Sequence, residues 1–292
     1  MKSFVIQVIA LLLSWNAALF ADKLPQNHSD NGGLAIIPID IKNKPEAFYQ
    51  NHKLPVLPSK AAKNQWLLIT AIPLDNEKAV QNIEITAPQK GVVPFHISDK
   101  YYRVQSLVIN NKRKVDPYAK DRPRIEAEQK RLTTLYQAYT DTNPFADGFI
   151  APIHGPITSL FGLKRIYNGK PRAPHSGLDI GAPSGVPVKV TAAGTVVDVY
   201  PYFFTGNTVV VDHGMGVLSL YAHLSKMNVK TGDTVKQGQV VGLIGKTGRV
   251  TGPHLHWMMV MNQTLVDPLL FTPARVIRKM PKKKIKTVKR GV

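Results

Sequence analysis

The sequence predicts a mainly β protein, in which a small β-sandwich-like domain and a connecting helix precede a larger antiparallel-sheet domain. Three observations predict this fold class. Short runs rich in β-branched and aromatic residues fill the first third of the chain, and one helical pattern follows them. Most of the 21 glycines then separate strand-like runs between Gly155 and Gly252. Many short strands joined by glycine turns are typical of compact β domains.

The first 21 residues are predicted to be a signal peptide. Lys2 supplies the positive start, Phe4 to Leu13 form an apolar run, and Ala21 ends a small-residue region suited to cleavage. A membrane anchor is the alternative, but a spanning helix needs about 20 apolar residues. The sequence therefore predicts an exported chain with no transmembrane segment after signal cleavage.

Residues 22–118 are predicted to form the N-terminal β-rich domain. Strand-like runs lie at residues 34–41, 66–72, 83–86 and 101–109. Turn-forming clusters separate these runs, which is the pattern of a small antiparallel sheet or sandwich. His52 and His96 are isolated, so no catalytic cluster is predicted here.

Residues 119–149 are predicted to form a helix and a linker. Asp121 can cap the start of a helix over residues 121–140, and Pro123 lies in the first turn, where proline is tolerated. The apolar residues of this helix share one face at helical spacing, namely Ile125, Leu132, Leu135, Tyr136 and Tyr139.

Residues 150–272 are predicted to form the second β domain. Its strand-like runs lie at residues 186–190, 195–200, 208–212, 217–223, 240–244 and 255–260. Residues 273–292 form a basic tail that lacks apolar periodicity and is expected to be flexible. The net charge of +19 attracts anionic polymers, and from Arg275 onward every charged residue is basic.

Two short patterns in the second domain carry possible metal ligands. His254 and His256 would project side by side from a strand, because residues i and i+2 point to the same face. His175 and Asp179 are four apart, but the glycines and the proline around them argue against a helix, so a bend or loop must bring them together. Each pattern alone is also compatible with a solvated strand face or a surface turn.

Together the two patterns predict a catalytic zinc site. The chain contains no cysteine, so any metal site must use histidine and carboxylate ligands. His175, Asp179 and one histidine of the pair supply two nitrogens and one oxygen. Three protein ligands leave the fourth position of a tetrahedral zinc open, as in catalytic rather than structural sites.

At this point the sequence resembles a known family. Five colinear segments between residues 150 and 272 are similar to the lysostaphin/LytM-type zinc endopeptidases, which hydrolyse peptidoglycan: residues 159–162, 174–181, 193–196, 220–224 and 247–257. Residues 33–140 also resemble the β-rich domain that precedes this module in Gram-negative members.

The resemblance implies a role for each matching residue. His175, Asp179 and His256 would bind one zinc ion in a groove walled by antiparallel sheet, and His254 and His223 would be the catalytic pair beside it. The family also uses a tyrosine upstream of the first ligand, for which Tyr167 is the nearest candidate. His213, at a strand end before a glycine, is expected to be structural.

The implied function is hydrolysis of peptidoglycan peptide cross-bridges in the periplasm, or alternatively outside the cell. D-alanyl–diaminopimelate bonds are the favoured substrate over glycine bridges, because the N-terminal domain resembles the Gram-negative kind. A non-catalytic protein that activates other wall hydrolases is the alternative. Nucleic acid is not an expected partner, since export separates the chain from it. The tail at residues 275–292 is expected to contact anionic envelope polymers.

Overall fold

The structure is a computed structural model that describes residues 24–272. The predicted signal peptide, residues 1–21, and the basic tail, residues 273–292, lie outside the described residues. Within the described range, no helix combines the length and the apolar character that crossing a membrane requires.

Two small sheets form the N-terminal part. The strands in the described residues of this part are β1 (Leu34–Asp40), β2 (Glu46–Tyr49), β3 (His52–Lys53), β4 (Val56–Pro58), β5 (Gln65–Ala71), β6 (Val80–Ala87) and β7 (Gly91–His96). They pair in the orders β1-β5-β4 and β3-β2-β6-β7. Alternate residues of β6 and β7, such as Ile83 and Phe95, point into a core that both sheets share. The predicted sandwich-like arrangement is confirmed, with β2, β3, β4 and β7 as strands that the sequence pattern missed.

The connector contains a strand and two helices. These elements are β8 (Val104–Leu107), α1 (Lys112–Val115) and α2 (Arg122–Tyr136), with a 3-10 turn over Ala119–Asp121 before α2. The predicted strand over residues 101–109 is therefore shorter than expected. It pairs with a strand of the second half of the chain and not with the two N-terminal sheets.

Helix α2 is held to the second domain mainly by charged and polar contacts. Its predicted apolar face is only partly buried, and Glu128 is its one buried residue. The Glu128 carboxylate accepts the backbone N–H of Phe203 at 2.7 Å, and Arg131 pairs with the fully buried Asp198. Asp121 does precede α2, but its carboxylate pairs with Arg113 and makes no capping bond to this helix.

A ten-stranded sheet dominates the second domain. Its strands, with the short β10-β11 hairpin beside it, are β9 (Ile157–Ser159), β10 (Lys164–Tyr167), β11 (Lys170–Arg172), β12 (Leu178–Gly181), β13 (Pro187–Lys189), β14 (Gly194–Tyr202), β15 (Gly206–Gly214), β16 (Val217–Met227), β17 (Thr234–Val235), β18 (Val240–Ile244), β19 (His254–Met261) and β20 (Thr264–Val266). A 3-10 turn over Pro268–Phe271 follows β20. The order β17-β14-β15-β16-β19-β12-β9 places β19 between β16 and β12.

The largest core lies against one face of this sheet. Trp257, Tyr221 and Leu178 are fully buried there, and Leu34 and Ile69 from the N-terminal sheet β1-β5-β4 join the same cluster. A separate core on the opposite face contains residues such as Ala222 and Met258. Since neighbouring residues of a strand face opposite sides, this division fixes which side each residue of β19 presents.

Candidate metal centre

The pairing of β12 with β19 places a carboxylate beside a histidine. The strands are antiparallel, with Asp179 directly opposite His256 and Gly181 opposite His254. Side chains of directly opposed residues lie about 5 Å apart at their Cβ atoms. His254 and His256 share a strand face as the sequence predicts, and Asp179 joins that face from the neighbouring strand.

His175 reaches the same point from the loop before β12. Its Nε2 atom lies 3.0 Å from Asp179 Oδ1 and 3.1 Å from His256 Nδ1. The bend that the sequence predicts lies between His175 and the start of β12, and Asp179 itself lies within that strand. Residues four apart bring their side chains together here because the chain bends between His175 and Asp179 as it enters β12.

Gly177 makes that turn possible. A Cβ atom at this position would lie 2.4 Å from the carbonyl oxygen of Trp257 and 2.9 Å from Cε1 of His256. Any side chain would therefore push β19 and its histidine away from Asp179.

The three donor atoms form a compact triangle that fits a metal ion. His256 Nδ1 and Asp179 Oδ1 are 2.8 Å apart. With the 3.0 Å and 3.1 Å distances from His175 Nε2, this gives all three sides of the triangle. Zinc bound at about 2.0–2.1 Å in tetrahedral geometry separates its ligands by about 3.3 Å, close to these values. Within residues 24–272, these three residues are the one histidine, aspartate and glutamate group arranged to hold a metal.

The protonation pattern of His175 gives an independent test of this fit. Its Nδ1 atom lies 2.6 Å from the carbonyl oxygen of Leu160, which can only accept, so Nδ1 carries the proton. In the neutral ring, Nε2 then presents a lone pair to the Asp179 carboxylate. A neutral His175 would thus face the carboxylate oxygen at 3.0 Å with a lone pair, which is how a histidine and a carboxylate face a shared metal ion.

The buried charges at the centre support the same assignment. Burial raises the pKa of Asp179, but the hydrogen bonds and charges of His175 and His256 outweigh it and hold this pKa well below its usual value. Burial lowers the pKa of His256 to about 4. At neutral pH, Asp179 is therefore an anion and His256 a neutral ring, the forms in which both residues bind metals.

A β-bulge brings His223 to the same side of the sheet. Strict alternation along β16 would point His223 into the core with Tyr221, on the side opposite Ala222. The register between β15 and β16 shifts here, and His223 adopts a φ of 64°, in the left-handed region that non-glycine residues rarely occupy. The His223 ring consequently lies 4.9 Å from that of His254 and 5.6 Å from that of His256. Bulges of this kind re-aim side chains beside active sites.

Backbone carbonyls orient both additional histidines. Nδ1 of His223 donates to the carbonyl of Thr247 at 2.7 Å, and Nδ1 of His254 donates to that of Gly252 at 2.8 Å. In the neutral form of such a ring, Nε2 has a lone pair that can accept a proton. Burial, together with the charges of His256 and His254, lowers the pKa of His223 well below its usual value.

Two residues that the sequence did not single out support the ligands. Arg165, buried in β10, approaches the second carboxylate oxygen of Asp179 at 3.5 Å and also donates to Gln105 of β8. Ser176 Oγ lies 3.3 Å from Nε2 of His256, the ring nitrogen that points away from Asp179. The contacts of Arg165 leave no sequence signal, because Gln105 and Asp179 meet it only through tertiary structure.

The metal centre opens into a cavity of about 210 Å³. Tyr167, Phe204 and Arg249 line one part of it, and Leu107 and Ile109 extend the wall from the connector. Tyr167, the tyrosine that the family resemblance suggests, is among the residues that line the cavity.

The two remaining histidines of this domain lie elsewhere. His213 is buried between the carbonyl of Ala193 and the hydroxyl of Ser219, in agreement with a structural role, and His154 is exposed.

Family models match both halves of the chain. Peptidase family M23 matches residues 173–268, and the peptidase family M23 N-terminal domain matches residues 27–100. A crystal structure of a putative M23 peptidase from Pseudomonas aeruginosa is 34% identical, with a TM-score of 0.71. The match covers 84% of this chain and 95% of that one.

Curated relatives match about a third of the chain. The peptidoglycan DD-endopeptidase ShyA of Vibrio cholerae is 44% identical over 114 residues, which are 39% of this chain and 26% of ShyA. The DD-carboxypeptidase/endopeptidase Mpg of Neisseria meningitidis serogroup B is 42% identical over 95 residues, 32% of this chain and 22% of Mpg. The chain thus spans about a quarter of the length of these relatives.

Proposed function

The chain belongs to peptidase family M23, and from that premise we propose that it is a zinc-dependent endopeptidase that hydrolyses peptide cross-links of peptidoglycan. One observation carries the proposal: Asp179 Oδ1, His175 Nε2 and His256 Nδ1 converge within 2.8–3.1 Å of one another, with two further histidines beside them. The similarity to relatives named as peptidoglycan endopeptidases supports the substrate class.

The three donor atoms would hold a single zinc ion. Zinc bound by three protein ligands polarises a carbonyl group and lowers the pKa of water. Asp179 contributes the one negative charge of the ligand set. The Leu160 carbonyl accepts from Nδ1 of His175, which turns Nε2 of that ring toward the ion, and Ser176 contacts the outer nitrogen of His256.

His223 and His254 would transfer protons during hydrolysis. Both rings present Nε2 to the cavity side, because both Nδ1 atoms are bound to backbone carbonyls. A ring that takes a proton from the attacking water at Nε2 can then give the same proton to the departing amine. Tyr167 would add a phenol to the wall where charge develops on the carbonyl oxygen.

Digestion of purified cross-linked muropeptides tests the proposal. The zinc-loaded mature chain should convert dimers to monomers, and mass spectrometry of the products identifies the bond, which we propose to be D-alanyl–diaminopimelate. Treatment with a chelator, or Asp179→Ala, should abolish cleavage, whereas His154→Ala should not, because His154 is exposed and away from the centre. Intact dimers with the zinc-loaded chain would reject the endopeptidase and favour an activator of other hydrolases.

We also propose that the chain is exported to the periplasm and that residues 275–292 bind anionic envelope polymers. The support is the N-terminal apolar run and the basic character of the tail. Deleting residues 275–292 should weaken co-sedimentation with isolated sacculi, most strongly at low salt, because salt screens exposed charges. Unchanged co-sedimentation at low salt would show that residues 275–292 do not bind these polymers. Edman sequencing of the exported protein checks cleavage after Ala21.

A further inference from the structure

Arg249 is a cation in the wall of the cavity that the proposed mechanism does not use. It lies in the turn before β19 and lines the same cavity as the ligands His175, Asp179 and His256. The turn is fixed in place, since the backbone N–H of Arg249 donates to the carbonyl of Phe204 at 2.7 Å. Gly248 allows this approach, because a Cβ there would lie 2.4 Å from the same oxygen.

Two aromatic rings hold the guanidinium. Its Cζ atom lies 4.8 Å from the ring centroid of Tyr167 and 4.5 Å from that of Phe204. Contacts of this kind use the π face of the guanidinium, so its in-plane N–H groups stay available. Those donors form a planar fork that matches both oxygens of a carboxylate.

The neighbouring arginines differ from Arg249 because they have acceptors. Arg165 contacts Asp179 and Gln105, and Arg172 donates to Asp116. Among residues 24–272, no acceptor lies within hydrogen-bonding distance of the Arg249 side chain. Burial lowers the pKa of Arg249, Tyr167 opposes this effect, and the charges of Arg172 and Arg165 add to it. The cavity thus contains a cation whose partner is not supplied by the described part of the protein.

We propose that the Arg249 guanidinium binds a carboxylate on the substrate residue next to the scissile peptide bond. The inference rests on the proposed function. The cavity is small, so a group on its wall meets atoms close to that bond. In a D-alanyl–diaminopimelate cross-link, the carbon that bears the scissile amide nitrogen also bears a free carboxylate. In a D-alanyl–lysine cross-link that carbon is a methylene, and a glycine bridge has no such charge. Arg249 would therefore select the diaminopimelate type.

Two synthetic cross-linked peptides that differ only in this carboxylate test the inference with the full mature, zinc-loaded chain. The wild type should cleave the diaminopimelate peptide with a kcat/KM about 10- to 100-fold above that of the lysine peptide, the range expected for hydrogen bonds to a charged group. Arg249→Gln should lower the first value to the level of the second and leave the second unchanged. Arg249→Lys should retain part of the preference, since it keeps the charge and loses the fork.

Lys246→Gln is the matched control, because Lys246 lies exposed in the same turn. It should leave both rates at the wild-type level. Equal wild-type rates on the two peptides would overturn the inference. So would an Arg249→Gln variant that slows both peptides by the same factor, because Arg249 would then only shape the wall.

A binding measurement separates this inference from the proposed function. Calorimetric titration of the chelator-treated full chain with each uncleaved peptide should show tighter binding of the diaminopimelate peptide, and Arg249→Gln should remove the difference. If the zinc-loaded wild type cleaves neither peptide, the proposed function fails. The preference for binding the diaminopimelate peptide over the lysine peptide then decides the role of Arg249. Equal binding of the two peptides would overturn the inference.

Discussion

Replacing His256 with alanine tests the metal centre without an assay of activity. A ligand that binds only the folded state raises the free energy of unfolding by RT ln(1 + [L]/Kd). At a free zinc concentration about 1,000 times Kd, the wild type should gain about 4 kcal/mol over the chelated protein. Each variant is compared with its own chelated form, so the cavity left by the missing ring cancels from the comparison.

The expected loss follows from the number of donors. Structural sites with four protein ligands bind zinc with an apparent free energy of about 10–16 kcal/mol, or about 2.5–4 kcal/mol per ligand. Removing His256 Nδ1, one of three donors within 2.8–3.1 Å, should therefore weaken zinc binding about 10²- to 10³-fold. The zinc-dependent gain should fall to about 0.4–1.4 kcal/mol at the same zinc concentration.

Calorimetric unfolding with zinc and with chelator measures this gain. A gain of 4 kcal/mol corresponds to a rise in Tm of about 8–16 °C for a domain of this size. His254→Ala is the matched control, because His254 lies on the same strand face but outside the donor triangle, with Nε2 3.7 Å from Asp179 Oδ1. It should retain the full gain. An undiminished gain in His256→Ala, or an equal loss in both variants, would refute the three-ligand arrangement.

Three further changes test the scaffold, with urea unfolding of each variant beside the wild type. Arg131→Met should lower the free energy of unfolding by about 3 kcal/mol, because it leaves the fully buried Asp198 without its cation. A decrease below about 0.5 kcal/mol would mean that the ion pair is not formed. Tyr221→Phe should lower the free energy of unfolding by about 1–3 kcal/mol, because the buried backbone N–H of Thr191 loses its acceptor, the Tyr221 hydroxyl at 2.7 Å. Unchanged stability would contradict that hydrogen bond. Burial lowers the pKa of His213 to about 4, so below pH 6.5 the unfolded state binds a proton that the folded state does not. The free energy of unfolding should therefore decrease as the pH falls from 6.5 to 4, by up to about 3 kcal/mol from this residue. His213→Gln should make the free energy of unfolding depend less on pH in this range. The same pH dependence in variant and wild type would show that His213 does not contribute.

The mainly β class and the ligand set followed from local features. Strands β1, β5, β14 and β18 have composition and flanking turns that a single sequence displays, and the structure contains all four. His254 and His256 share a face because their spacing matches the strand period. Most strands that the sequence missed, such as β12 and β20, have at most four residues, too few to show a period, and β7, with six residues, is an exception.

Tertiary pairing decided the rest of the site. Asp179 meets His256 only because β12 pairs with β19 in one register, and a shift of one residue would send the carboxylate into the core. His223 reaches the other histidines through a bulge that depends on its pairing with β15. Neither register nor bulge is encoded near these residues.

The sequence by itself determined which side chains are available: two imidazole rings and one carboxylate for a metal, two more rings for proton transfer, and no thiol. Only the tertiary structure decided which nitrogen of each ring faces the centre, because backbone carbonyls such as those of Leu160 and Thr247 select the tautomer. It also decided that Arg249 lines the cavity and has no acceptor among residues 24–272. Residue identity is a local property, whereas hydrogen-bond partners come from strands that are distant in sequence and adjacent in space.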